Sequence, residues 1–271
     1  MVTIFMTIID YLELRFKDKI HEILTGKPAN QYVLSSLLGA VPGCMDAFLV
    51  VSLYMHGLVG FGALAAVMLS TAGDEAFVML TMVPDAALRI FVITVLLGII
   101  GGLLADKIAE YFNIKAKERG YKLGKEQMRV SFLKEHVYGH IIKKHIPRLF
   151  LWIFITLTLI EFLIKNFDFA SIVQGLPVSV LIIFAALIGI IPESGPHMIF
   201  LVLYSKGLIP FSVLLVSTLS QDGHGLLPLL SHSLKDTVYV QLFTTSFSIM
   251  VGIILVLIVK KTGVLSSSMP L

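Results

Sequence analysis

Residues 69–80 read LSTAGDEAFVML and residues 219–230 read LSQDGHGLLPLL. A shift of 150 positions lays one on the other, and the register holds without a gap from Gly39–Leu80 onto Gly189–Leu230. Twelve of the forty-two aligned positions are identical, among them Gly39/Gly189, Pro42/Pro192, Tyr54/Tyr204, Gly57/Gly207, Phe61/Phe211, Ser70/Ser220 and Gly73/Gly223. Shared hydrophobicity accounts for the aligned leucines but not for the matched glycine, proline and tyrosine positions. The chain is an internal duplication, and both copies place acidic side chains inside apolar runs.

Of the 271 residues, 56% are hydrophobic and only 14% are charged, where soluble domains carry about a quarter charged residues. The fold class expected is therefore an all-α integral membrane protein. Many of its glycines and prolines fall within the apolar runs, as in broken membrane helices. The single cysteine, Cys44, excludes an intrachain disulfide and a cysteine-only metal cluster; beside Pro42 and Gly43 it reads as a small packing residue. The net charge of +3 is no signal for nucleic acid, because the basic residues flank the membrane segments. Met1–Ile9 is apolar but lacks a basic n-region and a small-residue cleavage site, so no cleaved leader is expected.

The apolar segments fall into two sets. Met1–Leu14 is short for a span, which takes about 20 residues. Tyr32–Met55 is interrupted at Pro42-Gly43, Leu58–Val83 is interrupted at 73–75, and Ala86–Ala105 is clean. Residues 106–148 hold eleven of the twenty-one Lys and Arg residues, which places them on the cytoplasmic side. Leu149–Ile164 follows, with Glu161 and Lys165 spaced to pair at its end. Pro177–Tyr204 breaks at 192–196, Leu208–Leu230 breaks at 222–225, and Val238–Val259 is clean. The organisation expected is a first transmembrane repeat at 1–106, a basic linker at 107–148 and a second repeat at 149–271. Arg15, Lys17, Lys19 and Lys27 also favour the cytoplasm. If so, one of the three apolar segments between them and Asp106 is re-entrant, and each repeat has an odd number of crossings. The repeats are then inverted and meet at the midplane, the expectation favoured here; if every interrupted segment crosses, the repeats are parallel. Tyr54 and Tyr204, at segment ends, read as interfacial.

Asp46, Asp74, Glu75, Glu193 and Asp222 lie at or beside the breaks. A charge at the bilayer centre costs roughly 2.5–3.5 kcal/mol on the insertion scale, so five cost on the order of 12–17 kcal/mol, comparable with the stability of a whole domain. Facing lipid is excluded; the acids line an internal cavity, take up protons or meet a cation. No Lys or Arg lies in the breaks, and only His197 and His224 are near in sequence. Carboxylate oxygens with imidazole nitrogen suit a divalent transition ion and not a thiolate-seeking one. Unwound backbone at 42–43 and 195–196 would add carbonyl ligands. The expected ligands are Asp74, Glu75, Asp222 and His224, with Glu193, Asp46 and His197 as supports or proton carriers. Asp74 also reads as a plain N-cap of the half-helix that starts at Glu75, and His197 as an ordinary core histidine. Glu193 and His197 share a face only if Pro196 leaves the segment helical. His136 and His140, with Glu135 and His145, read by default as the solvated face of a surface helix and otherwise as a regulatory metal site.

Residues 39–44 (GAVPGC), 51–54 (VSLY), 61–64 (FGAL), 73–80 (GDEAFVML), 191–197 (IPESGPH), 221–225 (QDGHG) and 227–229 (LPL) carry a resemblance. Together they resemble the prokaryotic family of ten-transmembrane heavy-metal exporters, also labelled manganese transporters or arsenic efflux proteins. The resemblance spans about Val33–Leu230 and implies a multi-pass cytoplasmic-membrane transporter that exports a metal or metalloid. The chain departs from the pattern in its short first apolar segment and in a middle stretch without cysteine.

Arsenite export draws on thiols or a positive site, and this chain offers acids. A divalent cation therefore ranks above an arsenical, manganese first and zinc or iron next. The function expected is proton-coupled secondary export by alternating access between the repeats, with no enzymatic activity and no tightly bound cofactor. The partners are the metal ion, protons and the lipid bilayer, and homo-oligomerisation is left open. The rivals are an intramembrane enzyme or carrier acting on a polyprenyl phosphate lipid and an arsenical efflux permease. The former wants arginine or a serine-rich phosphate cradle at the break, and the breaks hold no arginine.

Overall fold

The structure, a computed structural model, describes residue 24 and residues 28–43, 45–112, 146–167 and 169–262. Within them it is all-helical. The first set comprises α1 (Pro28–Ala40), α2 (Met45–Met55), α3 (Phe61–Ser70), α4 (Glu75–Met82) and α5 (Pro84–Tyr111). Between the sets stand α6 (Ile146–Asn166) and α7 (Phe169–Gly175). The second set comprises α8 (Val178–Ile188), α9 (Met198–Ser205), α10 (Phe211–Ser220), a 3-10 turn at Gly223–Gly225, α11 (Leu226–His232) and α12 (Leu234–Thr262). The helices stop at each of the four breaks read from glycine and proline.

The shared residues of the duplication make the same local contacts twice. Gly57 and Gly207 adopt φ of 72° and 71° just past the ends of α2 and α9. In the first copy Gly57 N–H donates to Tyr54 O and Leu58 N–H to Leu53 O, both at 2.9 Å; Gly207 and Leu208 repeat this onto Tyr204 and Leu203, also at 2.9 Å. Each is a Schellman cap, which needs a left-handed residue and so selects glycine. Across each turn the tyrosine ring meets a phenylalanine edge-on, Tyr54 with Phe61 at 6.4 Å and Tyr204 with Phe211 at 6.4 Å. This corrects the interfacial reading of Tyr54, which is 1% exposed: its ring packs on the turn it helps to cap.

Two cores result, and each contains pieces of both copies. One gathers α8, α9 and α10 around Val78 and Met79 of α4, with Ala87 and Ile90 from the start of α5 and Leu255 and Val256 from the end of α12. The other gathers α1, α2 and α3 around Leu226 and Leu229 of α11, with Ala105 and Ala109 from the end of α5 and Val240 from the start of α12. The half-helices α4 and α11, which follow the second break of each copy, are therefore buried in the opposite half.

The inner face of α5 is built from small residues, and this lets backbones touch. A side chain on Gly62 would strike the Gly102 carbonyl, and one on Gly102 would lie 2.8 Å from the Gly62 carbonyl. The outer face repeats large apolar side chains at Leu88, Val92, Leu96 and Ile100, all at least half exposed. Such a stripe is stable against lipid and not against water. Among the described residues, Pro84–Tyr111 and Leu234–Lys261 are helices long and apolar enough to cross a membrane, and Phe61–Met82 has the length and hydropathy of a span although it breaks between α3 and α4.

Helix α5 continues past residue 106, where composition starts the linker, and runs to Tyr111. Ala105 and Ala109 stay buried while Lys107 and Glu110 face out, so the helical period persists although the composition turns polar. Asp106 accepts hydrogen bonds from the Tyr32 hydroxyl and the Gly62 N–H, tying α1, α3 and α5 together. The rest of the linker to residue 145, with His136, His140 and His145, lies outside the described residues, as does Cys44. Lys165 pairs with Glu161 at 3.4 Å on an exposed face of α6, as their spacing predicts.

Candidate functional site

The four breaks meet one another. Gly43 N–H donates to Gly73 O at 3.3 Å. A Cβ on Gly223 would lie 3.8 Å from Ser194 Oγ, and one on Gly225 would lie 2.7 Å from Ala47 Cβ. Gly73 and Gly223 hold φ of 51° and 55°, a region that L side chains avoid and that turns the chain from one half-helix to the next. Helices α3 and α10 end at Ser70 and Ser220, and α4 and α9 begin at Glu75 and Met198, each beside a break.

Glu75 is the first residue of α4 and fully buried. Asp222 precedes the 3-10 turn and is 1% exposed. The Gln221 amide lies beside Glu75 and the Thr244 hydroxyl beside Asp222, but neither pair closes to hydrogen-bond geometry. All four carboxylate oxygens and both amide atoms of Gln221 are buried without a hydrogen-bond partner. No lysine or arginine is buried with them among the described residues. A buried polar group left in this condition costs about 1–3 kcal/mol, and more when charged.

Asp74 stands at the N-cap position of α4, 7% exposed, yet makes no side-chain capping bond. The plain capping reading therefore lacks its hydrogen bond. Glu193 and His224 form a close pair, Oε1 to Nε2 at 3.2 Å, with both side chains largely shielded. Glu193 and His197 do not share a helical face: residues 189–197 form turns and bends, and Pro196 keeps the segment from winding. His197 stands at the N-cap of α9, fully buried, with Nδ1 3.0 Å from Ser217 Oγ and Nε2 unpartnered. The carbonyls of Gly195 and Pro196, expected to be free, accept from Met198 and Ile199 N–H at 3.2 and 3.3 Å. Asp46 is the second residue of α2, and its side chain lies outside the described residues. Among the described residues, no three His, Cys, Asp or Glu side chains come together to grip a metal ion.

The structure thus brings together Glu193 with His224 and Glu75 with Gln221, and leaves Asp222 against Thr244. Ser217, Thr244 and Ser194 were not legible as members of this interior. For Ser217 a signal existed: polar residues at 217, 218 and 220, with 221 just beyond, cluster at the end of a largely apolar helix.

The family model described as "Putative, 10TM heavy-metal exporter" matches residues 1–165 and 143–259. The chain belongs to this family. As a heavy-metal exporter family member it is a multi-pass membrane transporter, with a metal ion as substrate and lipid around it. No curated protein and no solved structure matches it. Buried acids at broken helices fit an exporter of cations, because membrane proteins retain intramembrane carboxyl groups where an ion or proton passes.

Proposed function

We propose that this chain is a proton-coupled secondary transporter of a prokaryotic cytoplasmic membrane, exporting a divalent metal cation, manganese first. Its repeats are inverted and the ion binds between them. The observation that carries this reading is the burial of Glu75 and Asp222, one from each repeat, with four carboxylate oxygens that no protein donor satisfies. A cation passing through would supply the missing partner, and protons would supply it on the return. The oxygen, amide and imidazole groups at the breaks are ligands that manganese, zinc and iron accept.

The exchanged half-helices support inversion. The start of α5 shares a core with the end of α12, and the end of α5 shares the other core with the start of α12. Equivalent helices running in opposite senses would give this exchange, as in transporters that alternate access about a midplane site. Asp74, Glu193, His224, Asp46 and His197 join Glu75 and Asp222 as the groups that bind the ion or carry protons in turn.

The test is cellular metal content. Expression of the wild-type chain should lower manganese, and Glu75→Gln or Asp222→Asn should abolish the effect at equal membrane abundance. Unchanged manganese, zinc and iron with the wild-type chain would contradict the proposal.

A further inference from the structure

We propose that the ion is held where α4 crosses α9, by Glu75, Gln221 and His197, and that the equivalent crossing of α2 and α11 is a packed seal. This rests on the transporter reading above and places the ion within it.

The repeat register makes Glu75 the counterpart of Gly225 and His197 the counterpart of Ala47. Gly225 and Ala47 abut so closely that a Cβ on the glycine would lie 2.7 Å from the alanine Cβ. The pair in the equivalent position on the other side is Glu75 and His197. Helix α10 places them together independently. His197 Nδ1 meets Ser217 Oγ at 3.0 Å, and Gln221, beside Glu75, follows Ser217 by four residues as the C-cap of the same helix.

The two crossings differ in chemistry as well as in packing. Helix α2 packs along α11 more extensively than α9 packs along α4. Glu75, Gln221 and His197 are all fully buried, yet both carboxylate oxygens, both amide atoms and imidazole Nε2 lack partners. On the sealed side their counterparts are Gly225, Thr71 and Ala47, and the counterpart of Ser217 is Val67. A carboxylate, an amide oxygen and one imidazole nitrogen form a ligand set for a divalent transition ion over magnesium or calcium, which prefer oxygen alone. Only two of these three ligands are acids or imidazoles, in keeping with the absence of a three-member group of such side chains among the described residues. Ser217 is a positioning residue: with Nδ1–H donating to its hydroxyl, Nε2 carries the lone pair that faces the ion.

The experiment uses the full chain, purified in detergent for calorimetric titration with manganese, zinc and magnesium, and reconstituted in liposomes for flux of the same ions. His197→Ala is expected to weaken zinc binding about tenfold or more while magnesium binding changes little, collapsing the preference between them. Gln221→Leu should weaken all three ions. Ser217→Ala should weaken zinc by about tenfold, and Ser217→Thr should restore it. Thr71→Val, on the sealed side, should leave affinity unchanged. Wild-type elution and melting temperature are required of each variant, and the Ser217→Thr rescue separates positioning from misfolding. If the wild-type chain binds and moves metal while His197→Ala and Gln221→Leu keep its affinity and preference, the placement is wrong. If the wild-type chain neither binds nor moves any of these ions, the transporter reading falls and the placement with it.

Discussion

Glu193 Oε1 lies 3.2 Å from His224 Nε2, joining two helix breaks that are thirty residues apart in sequence. In the other copy the corresponding residues are Gly43 and Asp74, and a Cβ on Gly43 would meet nothing within 4 Å. The acid–imidazole contact is therefore particular to the second repeat, since Gly43 has no side chain to supply the acid. Shielded polar pairs in one network couple by about 0.5–3 kcal/mol. Glu193→Gln and His224→Gln should each slow metal flux in liposomes about fivefold or more, and the double variant should be no slower than the worse single one. Additive losses would show that the two side chains act separately.

The buried carboxyl groups predict a trade of function against stability. Glu75→Gln and Asp222→Asn exchange a carboxylate without a hydrogen-bond partner for an amide that is still polar but carries no charge, and so remove the charged part of the burial cost, about 1–3 kcal/mol. Melting temperatures should rise by roughly 2–10 °C for a chain of this size, while flux is lost. Lower melting temperatures would mean that each carboxyl group is a structural anchor.

How much of this was legible in the sequence depends on whether the interaction is local. The Schellman turns at Gly57 and Gly207 and the left-handed Gly73 and Gly223 are decided within a few residues, so the matched glycines mark them directly. The breaks were legible for the same reason. Partners across the fold were not. Glu193 finds His224 and not His197 because Pro196 unwinds the segment between them, and His197 finds Ser217 on a helix that only packing brings near. Tyr54 is misplaced by a rule about segment ends, because this end is turned inward and its ring packs on Phe61. The extension of α5 to Tyr111 is hidden by charges that lie on its outward face.

Packing along α5 gives a paired test. Gly62→Ala drives a methyl group into the Gly102 backbone carbonyl and the Asp106 carboxylate, which Tyr32 and the Gly62 N–H hold in place. It should destabilise by about 1–3 kcal/mol, the usual cost of overpacking. Gly175, at the end of α7, has open space around it, and Gly175→Ala should be neutral or stabilise by about 0.4–1 kcal/mol through the unfolded chain. Denaturation of both variants in one detergent checks the contrast. Equal effects would contradict the close approach of α3 and α5.

Asp106 supplies a third structural test. Its two oxygens accept from Tyr32 and from the Gly62 N–H at the start of α3, and in the second copy the corresponding residue is Val256. Asp106→Asn turns an amide N–H toward one of these donors and should cost about 1–3 kcal/mol, with the preference among metal ions unchanged. A changed preference would place Asp106 in the ion path.

The most direct measurement is anomalous scattering from crystals of the full chain soaked in manganese. The account predicts a peak in the interior between the breaks, within roughly 2.0–2.6 Å of a Glu75 carboxylate oxygen and in reach of His197. Peaks confined to outward-facing carboxylates such as Asp85 and Glu161, with the interior empty at full soak, would contradict it.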